Sequence, residues 1–155
     1  MINIGIDPGR KTGYAEAVSK GKLLYIDTIS FWDAVYRIDG HKRIGNKINV
    51  FIEAPGDNRA VWTAKSAITE AIRKNKNIHY AIDIALKISK NIGQNIEQSE
   101  LLIEYCKKED IPVTSCRPNE RSMTKLTHKE FVRLTGLTDK TSEHSRDAFM
   151  LIWGR

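Results

Sequence analysis

The sequence predicts an α/β domain in which a mixed β-sheet is flanked by helices. Two short apolar runs, at 2–6 and 49–52, each end in an acidic residue with a Pro-Gly turn signal close behind it. Longer segments with apolar residues at helical spacing follow the second run. The predicted order β-β-β-α-β-α-α-β-α-α suits a mixed sheet whose faces are covered by helices.

The N-terminal part of the chain predicts three strands joined by tight turns. The first strand, 2–6, ends at Asp7-Pro8-Gly9, where proline fixes φ and glycine permits positive φ. A second strand is predicted over Thr12–Val18 and a third over Leu23–Ile29, with a polar hairpin signal at 19–22 between them. Turns this short predict an antiparallel meander.

The rest of the chain alternates helices with two further strands. Isoleucines at a spacing of four, from Ile84 to Ile96, form one apolar stripe on the longest predicted helix. Gly93 in that helix is open to two interpretations, close packing near a functional site or a tolerated surface glycine. Thr141-Ser142 supplies an N-cap for the last helix. In chain order, we predict a helix over 31–44, a strand over 49–52, a loop over Asp57–Thr63, helices over 64–75 and 80–108, a strand over 111–116, and helices over 128–135 and 143–153.

Length and charge bound the class of protein. A chain of 155 residues suits one domain, and we expect a single domain over 1–155. The net charge of +6 favours a polyanionic partner, and nucleic acid is commoner than membrane for a compact basic domain. The two cysteines, Cys106 and Cys116, lack metal-ligand spacing, which favours reduced thiols over a zinc site. With no signal peptide or spanning segment, we expect a cytoplasmic protein.

Four residues at the ends of predicted elements are candidates for chemistry. Asp7 and Glu53 each follow a short apolar strand, so the two carboxylates emerge side by side if those strands are neighbours. His144 and Asp147 are three residues apart at the start of the last helix and share one face. An oxygen-rich cluster of this kind suits a hard divalent cation such as Mg²⁺.

Each of these residues also has a structural interpretation. An aspartate before Pro-Gly commonly forms the turn, and Glu53 could be a solvated strand end. Acids near a helix N-terminus stabilise the helix dipole, which would account for Asp147. Individually the structural interpretations are favoured, whereas the conjunction of all four favours a catalytic site.

Three segments resemble the motifs of RuvC-type Holliday junction resolvases. Residues 4–15, Ile-Gly-Ile-Asp-Pro-Gly-Arg-Lys-Thr-Gly-Tyr-Ala, closely resemble the opening of that family, and Val50-Phe51-Ile52-Glu53 resembles its second acidic strand. Residues 143–148, Glu-His-Ser-Arg-Asp-Ala, resemble the closing motif in the variant where histidine replaces the first of two aspartates. The resemblance covers nearly the whole chain in the same order.

The resemblance implies a fold and a role for each candidate. The fold is RNase H-like, a five-stranded mixed sheet with the first three strands antiparallel and helices around it. Asp7 would bridge two Mg²⁺ ions, for which Mn²⁺ could substitute, while Glu53 binds one ion and Asp147 the other. His144 would lie beside the scissile phosphate, as a ligand or as a proton-transfer group.

The resemblance also implies partners. The family works as a homodimer on four-way junctions of DNA, and we expect the helical region 64–108 to contribute much of the interface. The segment 117–139 departs from the bacterial pattern, and Asn58, Arg59 and Trp62 are more similar to phage-encoded relatives. The expected location is therefore the cytoplasm of a bacterial cell or of a phage-infected host. The preferred cleavage sequence stays open.

Basic side chains near the predicted site are candidates for contacts with DNA phosphates, which give salt-sensitive affinity with little sequence dependence. A solvated surface is the alternative for scattered cations. Trp62 could stack on an unpaired base or cover a hydrophobic surface. The candidate DNA-binding residues are Arg10, Lys11, Arg59, Trp62, Arg117, Arg121 and Lys125.

Three functions remain open at this point. The first is a Mg²⁺-dependent endonuclease that resolves four-way junctions. The second keeps the fold but acts on RNA or on flap and other branched DNA, since the metal cluster would be shared. The third is a catalytically silent junction-binding protein, against which the intact set of four residues argues.

Overall fold

The structure, a computed structural model, describes residues 1–18, 22–54, 59–74, 77–117 and 125–155, with only the helical backbone described for 59–63. Its elements follow the predicted order. They are β1 (Ile2–Asp7), β2 (Thr12–Val18), β3 (Lys22–Ile29), α1 (Phe31–Arg43), β4 (Ile48–Glu53), α2 (Arg59–Arg73), α3 (Ile78–Lys108), β5 (Val113–Cys116), α4 (His128–Thr135) and α5 (Glu143–Ile152).

The five strands form one mixed sheet in the order β3-β2-β1-β4-β5. β1 pairs antiparallel with β2, and β2 pairs antiparallel with β3. β4 runs parallel to β1, and β5 runs parallel to β4. The predicted mixed sheet flanked by helices is therefore confirmed. Because β1, β4 and β5 are parallel, they finish at the same end of the sheet, which we call the carboxyl edge.

Helices cover both faces of the sheet, and strand alternation determines which residues face which layer. Ile4 and Ile6 of β1 pack with Ile38 of α1 and Leu102 of α3 on one face. On the other face, α5 and Phe131 of α4 pack against small residues of β2 and against β4. The result is a three-layer domain with a core on each side of the sheet.

Two strand glycines allow α5 to lie directly on the sheet. A Cβ atom added to Gly5 would fall 2.0 Å from the carbonyl oxygen of Ala148, and one added to Gly13 would fall 2.0 Å from that of His144. Any side chain at these positions would push the helix away. The two glycines thus set how close the first turns of α5 come to β1 and β2.

Helices α2 and α3 form a pair that projects beyond the carboxyl edge. At 1.5 Å per residue, the 31 residues of α3 span about 46 Å. Its C-terminal part packs on the sheet through Leu102 and Cys106, whereas its N-terminal half packs along α2. Asn95 lies against Gly9, just after β1 ends, so residues 78–94 extend past that edge. None of the helices in the described residues is long and apolar enough to cross a membrane.

Several boundaries differ from those predicted. α2 begins at Arg59, so the predicted loop over Asp57–Thr63 is wrong for 59–63. Gly56 is the last glycine or proline before a continuous amphipathic run, which is why the helix starts earlier. β5 begins at Val113 instead of residue 111, because Pro112 has no backbone N–H to contribute to a ladder. The predicted hairpin at 19–22 lies outside the described residues at 19–21.

Candidate active site

Asp7 and Glu53 are the last residues of the neighbouring parallel strands β1 and β4, at the carboxyl edge. Ile6 pairs with Ile52 in the β1–β4 ladder, so Asp7 and Glu53 occupy the next position of the same register. Ile6 and Ile52 face the α1–α3 layer, and alternation therefore directs the two acids toward the α5 layer. Both acids are partly buried, and Glu53 has a contact within the protein.

The N-terminus of α5 is fixed at this edge by its cap. Ser142 accepts a hydrogen bond from the backbone N–H of Ser145, and the side chain of Ser145 accepts one from the N–H of Ser142. The Ser142 hydroxyl also contacts the hydroxyl of Thr28, near the end of β3. This capping box places the first turn of α5, which carries His144, over Gly13, the ladder partner of Asp7.

His144 and Asp7 are in direct contact. Nδ1 of His144 lies 2.7 Å from Oδ2 of Asp7, and an ionised carboxylate can only accept, so Nδ1–H is the donor. In the neutral imidazole, Nε2 then carries the lone pair that can bind a metal or accept a proton. The side chain of His144 is 49% exposed, whereas that of Asp7 is 13% exposed. The hydrogen bond with Asp7 raises the pKa of His144, and partial burial opposes this.

Asp147 is buried one turn further along α5. Its Oδ1 accepts a 2.8 Å hydrogen bond from the backbone N–H of Lys125. Burial raises the pKa of Asp147, and the Lys125 N–H opposes that effect. The charges of Asp7 and Glu143 raise the pKa of Asp147 further.

The structure thus joins Asp7 and His144 by a hydrogen bond, brings Glu53 beside Asp7 through strand register, and carries Asp147 one turn after His144 on α5. Within the described ranges, no group of three or more His, Cys, Asp or Glu side chains is arranged ready to hold a metal ion. Asp7 and His144 are in direct hydrogen-bond contact, and the charges of both act on the pKa of Asp147.

The two cysteines take no part in this site. Both are buried and outside any disulfide, and they belong to the cores on opposite faces of the sheet. Burial raises the pKa of Cys106 to about 11, so its thiol stays protonated at neutral pH. This agrees with the interpretation of Cys106 and Cys116 as structural residues.

The predicted DNA-binding residues divide into three groups. Arg10, Lys11, Arg117 and Lys125 are exposed, and the first three follow β1 or β5 at the carboxyl edge. Lys125 is brought there by the hydrogen bond between its backbone and Asp147. Arg59 and Trp62 lie in α2, where only the backbone is described, and Arg121 lies outside the described residues.

Two features of the site were missed by the sequence reasoning. Lys125 contributes its backbone N–H to Asp147 from a left-handed conformation, with φ of 59°, which only its neighbourhood in the fold could reveal. Gly5 and Gly13 permit the close approach of α5, and glycine inside a strand pattern was the available signal.

In comparisons with known proteins, no protein-family model, curated protein or solved structure matches the chain. Its function is therefore inferred from the residues and their arrangement.

Proposed function

We propose that the chain is a Mg²⁺-dependent DNA endonuclease of the RuvC-like kind that resolves four-way junctions. The observation that carries the proposal is the meeting of the first strand and the last helix, where Asp7 contacts His144. The first and last of the three motifs, separated by most of the chain, meet there, and Glu53 of the second motif lies beside Asp7 in the strand register. A turn-forming aspartate or a helix-start histidine would need no such meeting.

The RNase H-like arrangement is part of this proposal. An antiparallel meander followed by the parallel strands β4 and β5 supports it. So does the position of α5, which crosses the strands that carry the first two acids. In this arrangement Asp7, Glu53 and the start of α5 lie together at the carboxyl edge.

The donor atoms of these residues suit a hard divalent cation, although the side chains are not arranged around a common point. Asp7, Glu53 and Asp147 offer carboxylate oxygens, the ligands that Mg²⁺ prefers, and His144 offers one imidazole nitrogen. The charge of Asp7 raises the pKa of Asp147, and a bound cation would offset this effect. Bound Mg²⁺ would activate a water and stabilise the leaving oxygen of the phosphodiester.

The chain's own residues would orient the substrate and move a proton. Asp7 fixes the tautomer of His144 through Nδ1, which leaves Nε2 as ligand or as proton acceptor beside the phosphate. The exposed cations Arg10, Lys11, Arg117 and Lys125 surround this edge and would contact phosphates on either side of the reacting bond. Affinity should therefore fall steeply as salt concentration rises.

A homodimer completes the proposal, because paired nicks on opposed strands need two sites and this chain has residues for one. Support comes from the projecting α2–α3 pair, which exposes a set of large apolar side chains that would be costly to leave in water. These are Ile72, Ile78, Tyr80, Ile82 and Leu86, each between 43% and 64% exposed.

Light scattering on wild type, Leu86→Lys and the control Leu24→Lys tests the homodimer. Leu24 is an exposed leucine on β3, away from the α2–α3 pair. We expect a dimer for wild type and the control, and a shift toward monomer for Leu86→Lys. A wild-type protein that is monomeric at micromolar concentration, both free and on junction DNA, would contradict the dimer.

The proposed activity is tested with a panel of labelled substrates in Mg²⁺. Four-way junction, flap and linear duplex DNA, together with an RNA–DNA hybrid, are incubated with the protein. The proposal expects paired cuts in the junction and little cutting of the duplex. Preferred cutting of the flap or the hybrid would favour the second function, and tight junction binding without cuts in Mg²⁺ or Mn²⁺ would favour the silent binder.

A further inference from the structure

Arg146 is a buried cation next to Asp147 in the sequence. Only 9% of the residue is exposed, and arginine is rarely buried without partners. Its Nε donates to the carbonyl of Leu126 at 2.7 Å, and its Nη1 donates to the carbonyl of Thr141 at 2.8 Å. Nη1 also lies 3.4 Å from the Thr141 hydroxyl.

These two carbonyls lie on either side of α4. Leu126 precedes the helix and Thr141 follows it. A single guanidinium on α5 therefore binds both ends of the segment 126–141, which contains α4. The planar guanidinium presents several N–H groups in a fixed geometry, which lets one side chain satisfy two carbonyls at once. A lysine in the same place would donate from one nitrogen atom only and would lack the planar fork that reaches both carbonyls.

Lys125, the residue before Leu126, makes the backbone contact with Asp147. Lys125 adopts a left-handed backbone with φ of 59°, an uncommon conformation for a residue other than glycine. In this conformation its N–H donates to Oδ1 of Asp147. The hydrogen bond from Arg146 holds the Leu126–Thr127 peptide, which restrains the chain one residue beyond Lys125 on its C-terminal side.

We propose that Arg146 is a positioning residue for Asp147: by holding the backbone at Leu126 and Thr141 it presents the Lys125 N–H to Oδ1, and so fixes the orientation of the carboxylate that would bind the cation. This inference rests on the proposed function, because it treats Asp147 as a cation ligand. Arg146 itself touches neither substrate nor cation. Its effect passes through two hydrogen bonds, Arg146 to Leu126 and Lys125 to Asp147.

The physical consequence of losing Arg146 follows from the charges around Asp147. Without the guanidinium, Lys125 can relax to an ordinary backbone conformation and its N–H leaves Oδ1. Asp147 would then keep its burial and its repulsion from Asp7 and Glu143, but lose the hydrogen bond that opposes both. A carboxylate freed in this way binds a cation less well, and loss of such an orienting partner typically lowers metal affinity about 10- to 100-fold.

The test uses Arg146→Met, which keeps the length of the side chain, and Arg133→Met as the matched control. Arg133 is an exposed arginine on α4, in the same part of the fold. Two readouts are made without DNA: the ¹⁵N–¹H resonance of Lys125, and Mn²⁺ affinity by titration well below the unfolding temperature. A third is the steady-state cleavage of junction DNA.

We expect Arg146→Met to shift the Lys125 amide resonance and to weaken Mn²⁺ binding about 10- to 100-fold, while Arg133→Met changes neither. In cleavage, kcat should fall while KM for the junction stays close to wild type, because the phosphate contacts remain. A merely structural role would lower the unfolding temperature without moving Mn²⁺ affinity of the folded protein.

The inference is overturned if folded Arg146→Met binds Mn²⁺ within twofold of wild type, or if its Lys125 resonance does not move. If Arg146→Met does not fold, Arg146→Lys replaces it, because lysine keeps the charge but lacks the fork that reaches both carbonyls. Arg146→Lys with wild-type Mn²⁺ affinity would equally overturn it. A wild-type protein that binds no Mn²⁺ and cuts no substrate would instead overturn the proposed function, and the inference with it.

Discussion

Nδ1 of His144 lies 2.7 Å from Oδ2 of Asp7, and this one hydrogen bond joins the first strand to the last helix across 137 positions of the chain. Gly13 makes the contact possible, since it is the ladder partner of Asp7 and the residue on which the His144 backbone rests. The pair is more than a packing contact, because Asp7 fixes which nitrogen of His144 carries the proton.

The first prediction concerns the pKa of His144 in the metal-free protein. The hydrogen bond with Asp7 raises that pKa, so Asp7→Asn should lower it toward the ordinary value of about 6.5. The stabilisation from the charged pair is fully present below the pKa of the unfolded chain and is lost as pH rises through the raised folded pKa. A proton NMR titration of both proteins measures the shift.

Asp39→Asn, which removes a carboxylate on α1, is the control for this titration and should leave the His144 curve unchanged. Identical curves for wild type and Asp7→Asn would show that the pair does not form in solution.

The second prediction separates chemistry at His144 from stability. A carboxylate can ligate a cation as the imidazole does, so His144→Asp should keep substantial activity. His144→Ala removes both the ligand and the proton acceptor, and the single-turnover rate constant for cleavage should fall about 100-fold or more. Single-turnover cleavage of junction DNA, with circular dichroism as the check of folding, makes the comparison. An alanine variant that folds and cleaves like wild type would leave only three catalytic acids.

The third prediction compares two glycines. Gly13→Ala would place a methyl group against the His144 carbonyl, and overpacking of this kind costs about 1–3 kcal/mol of unfolding free energy. Gly93 lies exposed on α3 with nothing within 4 Å of an added Cβ, so Gly93→Ala should stabilise the helix by up to about 1 kcal/mol. Urea denaturation of both variants measures the two effects.

Equal effects in both glycine variants would contradict the close packing of α5 on β2. Among the described residues, the open space around Gly93 favours the interpretation as a surface glycine.

Much of the fold was predictable because its signals are local. The apolar runs that become β1 and β4 end at turn residues that cannot continue a strand, and Ser142 marks the start of α5. Gly136 ends α4 in the left-handed conformation, and a glycine after a helical pattern is a local signal for such an end. The candidate acids could be chosen because they lie at these same boundaries.

The rest depends on contacts between distant parts of the chain. Glu16 is buried in β2, where it accepts from the Tyr14 hydroxyl at 2.9 Å and pairs with Arg37 and His41 of α1. Nothing in the strand pattern foretold a buried acid, because its partners come from another element. The positive φ of Lys125 was equally hidden, since it is imposed by the fold around it.

Cleavage and binding by Asp7→Asn test the central claim most directly. The substitution removes one carboxylate charge from the place where the cation would be held, while the exposed cations that contact phosphate stay in place. With labelled four-way junction and Mg²⁺, we predict that Asp7→Asn makes no cuts and binds the junction as tightly as wild type or more tightly, because a negative charge facing the DNA is gone. Cleavage at the wild-type rate by folded Asp7→Asn would contradict the account.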